Sequence, residues 1–347
     1  MQKAPISFDV SVWECFWPLV TGCQLVVAGP GEHRDPQRIA HLVQQFGVTT
    51  LHFVPPLLRV FVDEPQTVHC RSLRRVFSGG EALPAALRDR VLARLPNVQL
   101  HNRYGPTETT INVTHWACSV ADGERSPIGR PLGNVLCRVL DSELNPLPAG
   151  VPGELCIGGS GLARGYQQRP GLTAERFIAD PLGEPGSRLY RTGDQVRWGA
   201  QGALEYLGRL DQQVKVRGFR VEPQEIEARL LAQPGVAQAA VLIRDTAAGP
   251  QLVGYFTTVE NRAVDGTQLS AALARELPDY MVPAQLMQLA AMPLSPSGKL
   301  DARALPQPQW CVREHVEPDT ALQQQIAAIW RDVLGQARIG LRDDFFA

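Results

Sequence analysis

The stretch NRYGPTE, residues 102–108, marks the point where a predicted strand ends in a tight turn. The strand is expected over residues 98–101, and a Gly-Pro pair after an aromatic residue forces the chain to turn. Thr107 and Glu108 follow this turn, and their hydroxyl and carboxylate oxygens suit Mg²⁺ and phosphate. Taken alone, the stretch is better explained as a turn followed by a helix cap.

On the N-terminal side of this stretch, helical and strand patterns alternate. The first predicted helix starts at about Val12 and is opened by a Ser11/Glu14 capping box. The second runs from Pro36 to Gly47, is capped by Asp35, and has Ile39, Leu42, Val43 and Phe46 on one face. A buried strand at 49–54 follows, and then a helix opened by Pro84 with Leu87, Val91 and Leu95 on one face. This alternation predicts an α/β fold in which helices cover a mixed or parallel sheet.

On the C-terminal side, dense Gly and Pro and short alternating runs predict a β-rich subdomain from about 126 to 207. A small α+β unit is expected after Asp211. Its predicted elements are a helix opened by Pro223 with Ile226 and Leu230 inward, strands at 236–243 and 252–257, and a helix at 269–277. A Pro-rich linker at 305–308 follows. The last predicted helix is capped by Asp319 or Thr320 and has Leu322, Ile326, Ile329 and Val333 on one face.

Composition excludes several classes of protein. The 347 residues suggest two or three domains, and 44% apolar residues suffice for at least one sizeable core. The 34 Lys and Arg nearly balance the 35 Asp and Glu, so there is no electrostatic footprint for nucleic acid. No apolar run reaches the roughly 20 residues of a membrane span, and no secretory signal or zinc motif is visible. Seven scattered Cys without a CxxC pair predict reduced thiols and a cytoplasmic protein.

Two further motifs follow the opening stretch. GELCIGGSGLARGY, residues 153–166, lacks the glycine spacing of a dinucleotide fingerprint, and we interpret it as a glycine-rich β corner that is structural more than catalytic. In YRTGD, residues 190–194, the carboxylate of Asp194 can accept two hydroxyl protons of a ribose. An ordinary Asx turn explains this second motif about as well.

Cationic residues mark the last two motifs. Lys215 and Arg217 share one face of a predicted strand, where a solvated edge is favoured over a phosphate-facing pair on charge alone. Lys299 lies on a Gly turn within SPSGKLD, residues 295–301, and could hold carboxylate and phosphate. A lone Lys on a loop is more often simply solvated.

These motifs gain specificity from their order and from FDVS at 8–11, SGGE at 78–81 and LPDYMVP at 277–283. From about Phe8 to Asp301 the sequence resembles the adenylation domains of nonribosomal peptide synthetases, in the ANL adenylate-forming superfamily. The resemblance implies an ANL-type α/β fold with a partial large N-terminal core over 1–210, in which mixed sheets with helices adjoin the β-rich subdomain. It implies a small mobile α+β subdomain over 211–305, a linker over 306–318, and the start of a helical peptidyl carrier domain over 319–347, which stops before the Ser that carries phosphopantetheine.

Members of that family join ATP and an amino acid into an aminoacyl-AMP, and then pass the acyl group to a carrier thiol. The resemblance implies that Glu108 binds Mg²⁺ and that Thr107, beside it, contacts phosphate. It implies that Tyr104 packs on adenine, that Gly80 and Glu81 line the nucleotide site, and that Asp194 accepts ribose hydroxyls with Arg209 nearby. It also implies that Lys299 bridges the substrate carboxylate and AMP. The carboxylate and the α-phosphate are both negative, so a metal ion and cationic side chains must offset their repulsion.

The resemblance also implies a substrate pocket. Asp9 matches the acid that pairs with the α-ammonium of the amino acid, although a cap or turn role before the first helix would also explain it. The remaining pocket positions are Val10, Trp13, Phe53, Phe77, Gly79, Arg103, Ile111 and Asn112. Three aromatic rings make this pocket largely apolar. Arg103 is the exception, and it either pairs with an acidic or hydrogen-bonding side chain or points outward.

The second half-reaction is expected to use the C-terminal subdomain. Asp211 matches the family's hinge, and rotation about it would exchange Lys299 for a loop with Lys215, Arg217 and Gly218. The implied partners are an amino-acid substrate, a phosphopantetheine-bearing carrier domain and the neighbouring synthetase domains, with no nucleic acid and no membrane.

One feature of the family is not found in the sequence, namely its Gly-rich phosphate loop, which would precede Phe8. We therefore expect the chain alone to be inactive in ATP–pyrophosphate exchange. Robust exchange by the purified chain would refute that. An acyl- or aryl-CoA ligase and a non-catalytic remnant that serves as an interaction scaffold are the alternatives. Asp9 and the carrier-like end argue against the ligase, and the intact acids and Lys299 argue for descent from an active enzyme.

Overall fold

The computed structural model describes residues 1–211, 213–216, 219–246, 249–259, 264–293, 300–308, 317–334 and 339–341. The chain folds as two compact units, Met1–Arg220 and Val221–Ala347. None of the helices in the described ranges combines the length and apolar character that crossing a membrane requires. The six described cysteines are all free thiols.

Helices and strands alternate along the first unit and along part of the second. The helices of the described residues are α1 (Val10–Val20), α2 (Pro36–Phe46), α3 (Pro55–Asp63), α4 (Ala85–Arg94), α5 (Pro170–Arg176), α6 (Pro223–Leu231), α7 (Gly266–Glu276) and α8 (Ala321–Leu334). The strands are β1 (Thr50–Phe53), β2 (Arg75–Ser78), β3 (Gln99–Tyr104), β4 (Thr114–Ala117), β5 (Arg130–Pro131), β6 (Val135–Leu140), β7 (Gly153–Gly159), β8 (Phe177–Ala179), β9 (Arg188–Trp198), β10 (Leu204–Arg209), β11 (Val214–Val216), β12 (Phe219–Val221), β13 (Val236–Thr246), β14 (Gly249–Thr258) and β15 (Gln285–Gln288).

The first sheet has the order β1-β2-β3-β4-β5. Its first three strands are parallel and the next two pairings are antiparallel, which confirms the predicted mixed sheet. The core between this sheet and α2, α3 and α4 includes Ile39, Phe53, Phe61, Val91 and Leu100, all of them buried. Burial of such side chains stabilises each by about 1.5–3 kcal/mol, and this core fixes the sheet from which the candidate site is built.

Helix α2 begins and ends as its sequence predicts. The side chain of Asp35 accepts hydrogen bonds from two backbone amides of the first turn, and Gly47 ends the helix with a φ of 62°. Phe46 is 51% exposed, unlike the three other residues predicted to share its face. The buried stripe of this helix stops at Val43, and Phe46 is the last helical residue.

Helix α1 does not begin with the predicted capping box. It starts at Val10, and its N-cap residue Asp9 makes no capping hydrogen bond. The Ser11 hydroxyl instead donates to the carbonyl of Ile6, and Glu14 accepts from the backbone amides of residues 3 and 4. Glu14 is therefore used to anchor the preceding segment, because that segment has amides that no strand partner satisfies.

The β-rich segment forms a second sheet with the order β10-β9-β7-β6, and β8 pairs with β9. Its apolar cluster includes Leu155, Ile157, Val196 and Leu204, together with Tyr104 from the first sheet. The two sheets of the first unit therefore share one core, and β3 ends at their junction.

The second unit contains a three-stranded sheet in the order β13-β14-β15, with Ile226 and Leu230 of α6 and Leu273 of α7 buried. The start of the predicted linker packs on this sheet, because Leu305 is buried and the Tyr255 hydroxyl donates to the carbonyl of Pro306 at 3.0 Å.

Helix α8 begins where its cap predicts. The amide of Gln323 donates to the Thr320 hydroxyl, and the Gln323 side chain accepts from the Thr320 amide. Leu322, Ile326 and Ile329 are 66%, 43% and 60% exposed, and the side chain of Val333 lies outside the described residues. The carrier-domain assignment of this end stays a prediction.

Candidate active site

Strand pairing sorts the polar and aromatic residues of β1, β2 and β3 onto two faces. His52 pairs with Phe77, and Phe77 pairs with His101, so the three side chains share a face. Arg103 lies two residues beyond His101 on the same strand and therefore on the same face. We call His52, Phe77, His101 and Arg103 the aromatic face. Tyr104 lies on the opposite face because successive residues of a strand alternate.

Helix α1 packs on the aromatic face through two indoles. The Trp13 ring lies 5.5 Å from the Phe77 ring and 5.8 Å from His52, and the Trp17 ring lies 5.8 Å from Phe77. Nε1 of Trp13 is buried and has no hydrogen-bond partner in the described residues. These contacts fix the position of Asp9, which directly precedes the helix.

The turn after β3 needs glycine at position 105. A Cβ atom there would overlap the backbone of Ile111 and Asn112, which returns close beside the turn. The turn then runs into a 3-10 helix, and the Thr107 hydroxyl donates to Oδ2 of Asp9 at 2.7 Å. The NRYGPTE stretch is thereby joined to the start of α1, although 98 residues separate the two partners.

Glu108 is held by two tyrosines. Its Oε1 accepts a hydrogen bond from the Tyr166 hydroxyl at 2.6 Å and another from the Tyr190 hydroxyl at 2.8 Å. The glycine-rich corner brings Tyr166 there, and the amide of Ala163 also donates to the carbonyl of Glu108 at 2.8 Å. Neither tyrosine is among the predicted site residues, although Tyr166 ends the GELCIGGSGLARGY motif and Tyr190 begins the YRTGD motif.

Asp194 lies at the centre of a buried polar network. It accepts from the Tyr104 hydroxyl at 2.5 Å through Oδ2 and from Arg209 at 2.7 Å through Oδ1. Arg209 also donates two hydrogen bonds to Asp211, at 2.6 and 2.8 Å. Burial, followed by the charge of Asp194, holds the pKa of Tyr104 well above its ordinary value, so its hydroxyl stays a donor. A carboxylate has about four lone-pair sites, so Asp194 retains capacity for further hydroxyl donors.

One cavity collects most of the predicted site residues. Those that line it are Asp9, Val10, Gly79, Gly80, Arg103, Tyr104, Thr107, Ile111, Asn112, Asp194 and Arg209. Six lining residues were not predicted, namely Phe8, His52, Gly105, Pro106, Thr192 and Gln213. All of them belong to the first unit.

Other predicted site residues lie elsewhere. Phe53 does not line this cavity, because it is on the core face of β1 and stacks on Phe61 at 4.7 Å. Its neighbour His52 lines the cavity instead. Trp13 and Phe77 pack behind the lining, and Glu81 and Glu108 are not part of it. Lys299, Arg217 and Gly218 lie outside the described residues, as does the side chain of Lys215.

The donor set around Thr107 and Glu108 is compatible with Mg²⁺. A carboxylate and a hydroxyl are hard oxygen ligands, and Mg²⁺ in proteins is often held by one or two carboxylates together with substrate phosphates. The described residues contain no group of three or more His, Cys, Asp or Glu that could hold a metal by themselves. An ion here would therefore take its other oxygen ligands from water or from a bound substrate.

The imidazoles near the cavity are neutral. Burial, followed by the charges of Lys3 and Arg103, lowers the pKa of His52 to about 3. Burial, followed by His115 and Arg103, lowers the pKa of His101 to about 4. Nδ1 of His101 lies 2.9 Å from Nε2 of His115, and burial and Arg103 lower the pKa of His115 as well. Among the residues of this face that line the cavity, the positive charge therefore resides on Arg103. Arg75, two residues before Phe77 on β2, is exposed and lies over the Trp17 ring.

Two sequence profiles of one family match the chain. The profile of AMP-binding enzymes matches residues 1–167, and the profile of the AMP-binding enzyme C-terminal domain matches residues 225–299. The first match contains the whole first sheet, and the second contains the three-stranded sheet of the second unit.

A curated relative and two solved structures are similar along the whole chain or nearly so. Phosphinothricin tripeptide synthetase PhsB of Streptomyces viridochromogenes is 51% identical over all of this chain. Holo-PA1221, an NRPS protein containing adenylation and PCP domains, superposes with a TM-score of 0.78 at 30% identity, over 100% of this chain and 58% of that one. Holo-AB3403, a four-domain nonribosomal peptide synthetase bound to AMP and glycine, superposes with a TM-score of 0.57 at 34% identity, over 99% of this chain and 26% of that one.

The similarity concerns a part of these larger proteins, since the chain spans 30% of the length of PhsB. Fold, profiles and relatives agree with each other and with the motifs around the cavity. The chain belongs to the AMP-binding enzyme family, and along its whole length it is similar to the adenylation region of nonribosomal peptide synthetases.

Proposed function

We propose that this chain serves the activation of an amino acid as aminoacyl-AMP, at the expense of ATP, and its transfer to the phosphopantetheine thiol of a carrier domain in the cytoplasm. The observation that carries the proposal is the single cavity shared by Asp9, Thr107 and the Tyr104–Asp194–Arg209 network. An acid at one end suits an ammonium group, and a polar network at the other suits a nucleoside.

The nucleoside end would hold AMP. Asp194 is fixed from two sides by Tyr104 and Arg209, and its remaining lone pairs can accept the two ribose hydroxyls. The Tyr104 ring would contact adenine from the edge of the sheet, and Gly80 with Glu81 would border the base. Because the Asp194 side chain is already oriented, it loses little conformational entropy when a ribose binds.

The phosphate end would lie at the turn that carries Thr107 and Glu108. Mg²⁺ held there with substrate phosphate oxygens would supply positive charge. That charge would reduce the repulsion between the substrate carboxylate and the α-phosphate. The two tyrosine hydroxyls keep the Glu108 carboxylate in one orientation for that ion. Lys299 would add a second positive charge at the reacting carboxylate. In the thiol-transfer step, a movement about Asp211 would exchange it for the loop with Lys215, Arg217 and Gly218.

The amino-acid end would begin at Asp9. Its carboxylate lines the cavity and is oriented by the Thr107 hydroxyl, so it can pair with an α-ammonium group. A plain fatty or aryl acid would leave this carboxylate without a partner, which argues against a CoA ligase. The remaining wall would be formed by Val10, Gly79, Ile111 and Asn112, with Trp13 and Phe77 behind it and Phe53 in the core beside it.

The test is calorimetric titration of the chain with AMP and with aminoacyl sulfamoyladenosines, which are stable mimics of aminoacyl-AMP that carry no β- or γ-phosphate. We expect AMP to bind, and at least one aminoacyl compound to bind about 100-fold more tightly because both ends of the cavity are then filled. Asp194→Ala should weaken AMP, and Asp9→Ala should weaken only the aminoacyl compounds. Glu184→Ala, at an exposed acid, is the control.

A chain that binds no aminoacyl compound more tightly than AMP would contradict the proposal. Acyl or aryl sulfamoyladenosines without an amino group that bind equally well would point to a CoA ligase instead. In a complete enzyme that contains this chain, Lys299→Ala should abolish amino-acid-dependent ATP–pyrophosphate exchange.

A further inference from the structure

Arg103 is a cation that has no counter-ion among the residues that the structure describes. Its side chain lines the cavity and lies over the Phe77 ring, with 4.6 Å between the guanidinium carbon and the ring centroid. Nε is buried and lacks a hydrogen-bond partner, and the guanidinium forms no hydrogen bond or ion pair with any described residue. Burial lowers the pKa of Arg103 from its ordinary value, but a guanidinium stays protonated in proteins.

The other charged side chains of the cavity do not neutralise Arg103. Asp194 and Arg209 pair with each other at 2.7 Å. Asp9 accepts from a hydroxyl, and it forms no ion pair with Arg103 or with any other described residue. The three imidazoles beside Arg103 are neutral, as their lowered pKa values indicate. A partly desolvated charge without a partner is costly, so this site is prepared for an anion.

We infer that the cavity binds an amino acid whose side chain ends in a carboxylate, and that the Arg103 guanidinium binds this carboxylate. The inference rests on the proposed function and names the substrate class of the same site. Asp9 would take the α-ammonium group, so that each charge of the ligand meets an opposite charge on the protein. Arg is suited to this because its fork of N–H groups matches the two oxygens of a carboxylate.

The position of Arg103 favours the side-chain carboxylate over the α-carboxylate. Arg103 belongs to the aromatic face, whereas the next residue, Tyr104, lies on the other face and donates to Asp194. The α-carboxylate has to reach the α-phosphate, on the side of Asp194 and of the turn with Thr107. A guanidinium on the aromatic face is therefore placed for recognition of the far end of the substrate.

A carboxylate fits this face better than an amide does. An amide oxygen could accept a hydrogen bond from Arg103, but it would leave the positive charge uncompensated among Phe77, Trp13 and neutral imidazoles. Hydrogen bonds to a charged partner are also roughly twice as strong as neutral ones. We therefore expect glutamate or aspartate, or a related acidic amino acid, to be preferred over the corresponding amide.

The experiment is titration of the chain with glutamyl, aspartyl, glutaminyl, asparaginyl and leucyl sulfamoyladenosine. We expect an acidic compound to bind about 10- to 100-fold more tightly than its amide and than the leucyl compound. Arg103→Gln should remove this preference and leave the affinity for AMP within about twofold. Arg103→Lys should keep part of it, because the charge remains while the fork is lost.

Arg75→Gln is the matched control, since Arg75 is exposed on the neighbouring strand and its guanidinium carbon lies 5.7 Å from the Trp17 ring. Circular dichroism of each variant checks its fold, and the preference of the unaltered chain tests the inference even if one variant does not fold. Tightest binding of an amide or an apolar compound overturns the inference, as does a preference that persists in Arg103→Gln. Failure of every aminoacyl compound to exceed AMP overturns the proposed function instead.

Discussion

At the scale of single residues, the orientation of Glu108 depends on two hydroxyl groups. Tyr166 and Tyr190 both donate to the same carboxylate oxygen, and their hydroxyl oxygens lie 3.3 Å apart. Phe177 packs against both rings and limits their rotation. The pair therefore acts on Glu108 as a positioning device, without need of contact with a substrate.

We predict that Tyr166→Phe weakens binding of Mg·ATP about tenfold and changes the affinity for AMP by less than twofold, because a lost hydrogen bond to a charged group is worth about 1.5–3 kcal/mol and AMP needs no metal. Titration calorimetry with each nucleotide measures the difference. Tyr206→Phe is the control, since the Tyr206 hydroxyl has no hydrogen-bond partner in the described residues. Equal weakening of both nucleotides would show that Tyr166 only supports the fold.

The burial of His52 leads to a separate prediction about the stability of the folded chain at acidic pH. Its pKa of about 3 in the folded chain is below the 6.5 of an unfolded chain, so the unfolded state takes up a proton first as the pH falls. The folded state should then lose about 1.4 kcal/mol of stability per pH unit below pH 6.5, or about 2 kcal/mol by pH 5.

We predict that His52→Gln loses about 2 kcal/mol less stability than the unaltered chain between pH 7 and pH 5. Urea unfolding followed by far-ultraviolet circular dichroism at the two pH values checks this. His41→Gln, at an exposed histidine of α2, should follow the unaltered chain. Parallel pH profiles for the His52 variant and the unaltered chain would contradict the burial argument.

Sequence reasoning at this scale succeeded where motif and geometry are local. Asp9, Arg103 and Thr107 line one cavity, and the strand ends and turns that carry them are encoded in adjacent residues. Their roles there stay predictions. Sequence reasoning placed Phe53 in the pocket in place of His52, because a shift of one residue in a strand exchanges the faces. The tyrosine contacts of Glu108 span 58 and 82 residues, and no local pattern predicts such pairs.

At the scale of elements, the turn after β3 is the most constrained segment of the site. Gly105 is packed against the backbone of Ile111 and Asn112, which cannot yield as a flexible side chain would. The same turn carries Thr107 to Asp9. Displacement of this backbone would separate the start of α1 from the turn.

We predict that Gly105→Ala lowers the free energy of unfolding by about 1–3 kcal/mol through overpacking and weakens the aminoacyl sulfamoyladenosine more than AMP. Gly133→Ala is the control, because a Cβ at Gly133 meets no atom within 4 Å. Chemical unfolding and calorimetry together measure both effects. Unchanged stability and affinity would show that the backbone of Ile111 and Asn112 is free to move.

The two N-terminal helices show which element boundaries a sequence can predict. The Asp35 side chain caps α2 by accepting hydrogen bonds from the amides of Gln37 and Arg38, which are close to it in sequence. At α1, Glu14 has the same opportunity but accepts from the amides of Lys3 and Ala4, which lie eleven and ten residues away. Tertiary partners therefore override a local capping pattern when they need the same acceptor.

At the scale of the whole molecule, every residue that lines the cavity belongs to the unit Met1–Arg220. We predict that a fragment of residues 1–220 binds AMP within about threefold of the affinity of the full chain, because every residue proposed to hold the adenine and the ribose of AMP lies in residues 1–220. Calorimetry of both proteins gives the comparison. A loss of more than about tenfold, in a fragment with a native circular dichroism spectrum, would show that the second unit contributes to AMP binding.

The family-level conclusion was accessible from sequence because it rests on motifs that are short and ordered along the chain. The α/β class and the mixed first sheet followed from alternating patterns, and the structure confirms both. The site roles, the domain boundaries and the carrier-like end stay predictions. Lys299 lies outside the described residues, and the hinge role of Asp211 requires a second arrangement of the chain.

The packing of Trp13 between Phe77 and His52 gives the molecule an internal optical probe. The Trp13 side chain is partly exposed while its Nε1 is buried, so its fluorescence depends on the polarity of the groups beside the ring. Binding of a ligand beside Arg103 should therefore change the wavelength and intensity of the intrinsic tryptophan fluorescence, so that occupancy of the cavity can be followed in real time without an attached dye.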